Sequence, residues 1–191
     1  MQKMGYSRHC HIRKKLTFTV FIVEFNKIYG VSSMKKTNNG LPFILGVTDS
    51  ESVKLDFDNT RFKTVKYWAF RTMKWFKLKG FIILKSSKNN YHVVFDRKVS
   101  WTKNMHIVAW VCLLSQHKAL TKWFLMQCIK EGSTLRVSEK KEKPQPRLVY
   151  RFGSENNQIA EFLAYRKIVK SIIAKFQRQK ELCSPAIKTL T

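Results

Sequence analysis

The chain has 191 residues, with 37 Lys plus Arg against 12 Asp plus Glu, a net charge of +25 at pH 7. That length suits one domain over residues 1–182 with a short tail, 183–191, and the charge makes a polyanion the expected partner, DNA or RNA ahead of an anionic membrane. No apolar run reaches membrane-spanning length, and Cys10, Cys112, Cys128 and Cys183 are too scattered for a disulfide scaffold, so a reducing, cytoplasmic setting is expected.

The basic opening "MQKMGYSRHCHIRKK" is followed by "LTFTVFIVEF", which is short and rich in β-branched and aromatic residues. It reads as a strand over 16–25, not as a signal sequence. "HCH" at His9 to His11 lacks a second metal half-site. A loop, "SSMKKTNNG", leads to a second strand at 41–47.

Residues 53–58 of "SVKLDFDNT" alternate. Val53, Leu55 and Phe57 turn to one face, and Lys54, Asp56 and Asp58 to the other. Two neighbouring carboxylates repel and raise each other's pKa unless a cation neutralises them, which suits a divalent metal; a plain strand end capping the next helix is the alternative. Phe62, Val65, Ala69, Met73 and Phe76 then recur at helical spacing, with Gly80 expected to end the helix. "GFIILKSSKNNYHVVF" reads as a β-hairpin whose second strand carries His92, and whose turn offers groups that suit phosphate.

Ser100 to Ser115 reads as a buried helix, while "KWFLMQCIK" fits helix or strand. "STLRVS" alternates, with Arg136 and Ser138 opposite Leu135 and Val137. The charged connector "EKKEKPQP", a strand "RLVYRF" and a last helix from Ser154 complete the order, which argues for an α+β fold with a mixed, largely antiparallel sheet.

Taken together, "VKLDFD", "SKNNYH" and "EGSTLRVSEK" resemble the three motif regions of the archaeo-eukaryotic primase superfamily, especially the small plasmid and viral primase-polymerases. The likeness covers about residues 50 to 142, with Lys88 and Asn90 where the family's second motif has glycines. It implies an RRM-like primase core and template-dependent nucleotidyl transfer on DNA, using nucleoside triphosphates and Mg²⁺ or Mn²⁺. Asp56, Asp58 and Glu131 would hold metal. His92, with Ser87, Arg136, Ser138 and Lys140, would contact the incoming nucleotide, and Lys85, Lys88 and Arg97 would face nucleic acid. No P-loop is present, so unwinding would need a separate helicase. Two readings compete: a non-catalytic nucleic-acid-binding or replication-initiation protein, and a metal-dependent nuclease with Asp96 as a further acid.

Overall fold

The computed structural model describes residues 45–140 and 143–182. The strand read at 16–25, the "HCH" triplet, the Asn-Gly loop, the start of the strand read at 41–47 and the tail 183–191 lie outside the described residues.

The order is β1 (Gly46–Asp49), β2 (Ser52–Phe57), α1 (Phe62–Phe76), β3 (Gly80–Ser87), β4 (Asn90–Lys98), α2 (Trp101–Ser115), α3 (Lys118–Lys130), β5 (Ser133–Arg136), β6 (Arg147–Gly153) and α4 (Gln158–Leu182). The fold is α+β and its strand pairs are antiparallel, as the alternating segments imply. A four-stranded sheet has the order β2-β4-β3-β6, and β1 pairs with β5 in a separate two-stranded ribbon. Strands β2 and β3, joined through α1, run parallel with β4 inserted between them, a split β-α-β unit.

The period of two divides the side chains of the sheet between two cores. Val53, Leu55, Phe57, Ile83, Val93 and Phe95 pack beneath α1, α2 and α3. Ile82, Leu84 and Val94 point the other way, into a second core closed by Val47 and Leu135 of the ribbon and Ile159, Phe162 and Val169 of α4. The second face is therefore covered, not open to solvent.

Helix α1 buries Val65, Ala69 and Thr72, spaced by four and three, and ends in a left-handed Lys77, φ 55°. Gly80 is not its cap: it opens β3, where a Cβ would lie 2.1 Å from the Ser154 carbonyl oxygen of the neighbouring strand's exit. The ambiguous 122–130 segment is helical, part of α3, whose first turn is capped by His117 Nδ1 accepting from the Leu120 amide at 3.1 Å. Helix α2 is only partly buried, with Leu113 exposed.

Helix α4 starts at Gln158 because the preceding residues wrap a buried carboxylate. Asp96 Oδ1 accepts from the amides of Asn157 (2.9 Å) and Ile159 (3.2 Å), and Oδ2 accepts from the Ser154 hydroxyl (2.7 Å) and the Asn156 amide (3.0 Å). No helix among the described residues is long and apolar enough to cross a membrane.

Candidate active site

Asp56 lies directly across from His92 in the β2–β4 register, and His92 Nε2 is 3.5 Å from Asp56 Oδ1. Both sit on the covered face, Asp56 on the edge strand β2 and His92 on β4, the next strand inward. His92 is 3% exposed, because the ribbon and α4 roof that face. The Asp56 side chain keeps 23% of its surface, and Asp58, just past the end of β2, is exposed.

Neither buried partner is saturated by the protein. Asp56 Oδ1 and His92 Nδ1 are buried without a hydrogen-bond partner. Burial, then repulsion from Asp58, raises the Asp56 carboxyl to about 7, against opposing pulls from Lys143 and Arg136. Burial, then the charges of Arg136, Lys143 and Arg166, lowers His92 to about 3, so its imidazole is neutral at neutral pH.

Arg136 reaches this corner from the end of β5. It donates to the carbonyls of Ser138, Pro144 (2.9 Å) and Ser86 (3.1 Å), while burial lowers its pKa and Asp56 and Asp58 support its charge. Lys140 and Lys143 exchange backbone hydrogen bonds of 2.9 and 2.8 Å, and both are exposed. Arg166 donates to the Pro146 carbonyl.

The hairpin turn is tied to the acidic end of β2. The Thr60 amide donates to the Asn89 carbonyl and the Asn59 amide to Asn90 Oδ1, both at 2.7 Å. Asn90 Nδ2 donates to Ser87 Oγ at 2.5 Å. The left-handed residue of the turn is Asn89, φ 57°, a residue type that tolerates such a conformation. Ser87 and exposed Lys88 therefore lie beside the loop that carries Asp58. Thr60 Oγ1 meets His117 Nε2 at 2.6 Å; because Nδ1 accepts the Leu120 amide, Nε2 holds the hydrogen and donates it.

Other expected site residues fall elsewhere. Glu131 is the exposed, left-handed C-cap of α3, two residues before Ser133, which bonds Ser52 at the far end of β2. It is five residues from Arg136, roughly 15 Å along an extended chain, and does not join Asp56 and Asp58. Among the described residues no group of three or more His, Cys, Asp or Glu is arranged to hold a metal ion.

Ser138 is fully buried, its hydroxyl accepting from the Leu45 amide at 2.8 Å and donating to the Glu139 carbonyl, so it is structural. Lys85 pairs with Tyr91, whose ring belongs to the core under α1, and so lies on the sheet face opposite His92. Arg97 is at the other end of β4 and donates to the Phe76 and Lys77 carbonyls, closing α1. Lys54 is fully buried instead of sharing an open acidic face: its ammonium bonds Asp49 Oδ2 at 2.5 Å and the Ser133 carbonyl at 3.0 Å. Asp96, with four bonds on its two oxygens, has no capacity left for a metal.

Two cations of the site, Lys143 and Arg166, were not singled out by sequence reasoning. A signal for Arg166 exists: it falls in the stripe of Ile159, Phe162 and Val169 that α4 buries, where a cation needs a local anionic reason. Lys143 lies in a connector whose composition carries no such signal.

The corner thus places two carboxylates, one exposed and one nearly buried, against a neutral imidazole and three cations. No protein-family model, no curated protein and no solved structure matches this chain, so the functional reading rests on this geometry and on the three motif regions.

Proposed function

We propose that this corner is a nucleotidyl-transfer site that works on a DNA template with nucleoside triphosphates and a divalent metal. The observation that carries the reading is the pair Asp56 and Asp58, two apart at a sheet edge and ringed by Arg136, Lys143 and Arg166. A carboxylate with an unpartnered oxygen, repelled by a second carboxylate, fits a divalent ion, because Mg²⁺ takes one or two carboxylates and completes its shell with phosphate oxygens and water. When bound, Mg²⁺ or Mn²⁺ would supply charge neutralisation at the reacting phosphate and a more acidic 3′-hydroxyl.

The chain's own groups supply the rest. Asp56 and Asp58 would hold the metal. Lys143 and Arg136 offset negative charge on the triphosphate as it builds during transfer, with Lys140 adjacent. His92, neutral and 3.5 Å from Asp56 across the neighbouring strand, faces that carboxylate without adding charge to the corner. Glu131 takes no part.

Two observations favour a second reading, a nucleic-acid-binding protein without catalysis: His92 is buried, and no third acid joins the pair among the described residues. A single experiment separates the two. A primed template, nucleoside triphosphates and Mg²⁺ or Mn²⁺ are supplied to wild type and to Asp58→Asn. Extension by the wild type and about a hundredfold less by the variant supports transfer. No extension by either, with equal DNA binding, leaves the binding protein.

A further inference from the structure

We infer that the outer face of α1 is a second nucleic-acid site, a track for a single strand on the side of the sheet opposite the acidic corner. No Asp or Glu occurs between Asp58 and Asp96, and α1 carries Lys63, Lys66, Arg71 and Lys74. These side chains line a shallow cleft of about 470 Å³ together with Tyr67 and Phe70. The ion pairs seen on Lys54, His92, Lys98 and Arg151 involve none of Lys63, Lys66, Arg71 and Lys74.

Aromatic rings interleave with the cations and are held in place. Trp75 is 67% exposed, yet one face of its indole stacks on Trp110 at 5.8 Å and 20°. Tyr67 is 53% exposed, with its hydroxyl accepting from Arg71 at 2.8 Å. Beyond Trp75 a pocket of about 410 Å³ adds Lys77, Arg97 and Lys103, beside Lys98, which pairs with Glu51. Fixed rings with an open face beside a row of cations match a strand whose bases are unpaired: the bases stack and the phosphates follow the charge. In a duplex the bases are already stacked on each other and could not use the rings. An anionic membrane fits less well, because Val65, Ala69 and Thr72 of α1 are packed into the core and unavailable for insertion.

The site does not depend on nucleotidyl transfer, and the test is independent of it. A fluorescein-labelled oligo-dT of about 12 nucleotides, within the usual span of single-strand sites, is titrated with full-length protein by anisotropy over a range of salt. Lys63→Gln/Lys66→Gln/Lys74→Gln is expected to flatten the log–log salt slope by about 2, since each lost phosphate contact on a single strand removes about 0.7. Trp75→Ala is expected to weaken binding on the order of tenfold without changing the slope. A matched removal of charge on α4, Lys167→Gln/Lys170→Gln/Lys175→Gln, should cost much less. Four results would overturn the inference: equal loss in the α4 control, no loss in Trp75→Ala, equal competition by a duplex of the same length, or binding of phosphatidylserine vesicles that the α1 variant abolishes while oligo-dT binding persists.

Discussion

Asp56 and His92 face each other across adjacent strands with 3.5 Å between carboxylate and imidazole, and each has one buried atom that no protein group satisfies. The pair joins the edge strand β2 to its inner neighbour β4, under a roof of α4 and the β1–β5 ribbon. Its titration behaviour follows from burial and neighbouring charge, and several measurements follow from that.

Asp56→Asn should stabilise the metal-free protein at neutral pH. The folded carboxyl is raised from an ordinary value of 3.8 to about 7, so between those values the folded state holds the extra proton. Stability contributed by the protonated form is thus lost as pH rises through this window. The variant has no such loss, so its advantage should grow from about pH 4 to pH 7, reaching about 1–3 kcal/mol in urea titrations. Mg²⁺ should stabilise the wild type but not the variant. An advantage that is the same at pH 4 and pH 7 would contradict the assignment.

His92 gives the opposite slope. Its folded pKa is lowered from 6.5 to about 3, so the unfolded chain binds the extra proton between these values, and stability is lost as pH falls through them. In the wild type Asp56 partly cancels this trend, so the comparison belongs in the Asp56→Asn background. There, adding His92→Gln should flatten the acid loss by about 2 kcal/mol between pH 6.5 and pH 4. Chemical denaturation at four or five pH values reads the slope.

Asp96→Ala should cost about 3 kcal/mol, because three backbone amides and the Ser154 hydroxyl lose their acceptor in a buried setting. Hydrogen exchange should show α4 as the first element to open. If the exchange protection of α4 stays at the wild-type level, the carboxylate is not what fastens the helix.

Lys54→Met should cost about 3–5 kcal/mol by stranding Asp49. Burial alone would raise Asp49, but the charge and hydrogen bond of Lys54, with the Ser52 amide, hold it below the usual carboxylate range. The double variant Lys54→Met/Asp49→Asn should recover part of the loss, and a thermodynamic cycle from thermal melts measures the coupling. Fully additive losses would mean the 2.5 Å contact contributes little.

Local patterning determined much of this protein. The alternation of 53–58 and of the hairpin established which residues of each strand share a face, with Val53, Leu55 and Phe57 opposite Asp56 and with Val93 and Phe95 opposite His92; the apolar repeat of α1 marked Val65 and Ala69 as core. Those patterns are periodic, and periodicity is set by backbone geometry that short segments already carry. What lies above a sheet face is not local. Only the tertiary structure decided that the ribbon and α4 roof His92, that Lys54 turns inward to Asp49, and that Arg136, Lys143 and Arg166 converge from three separate segments. The direction in which β5 runs, which carries Arg136 toward Asp56 and leaves Glu131 at the far end, follows from its antiparallel pairing with β1. That pairing joins residues more than 80 positions apart, and no spacing in the sequence encodes it, because it is selected by the burial of Val47, Leu135 and Val137 against the assembled sheet.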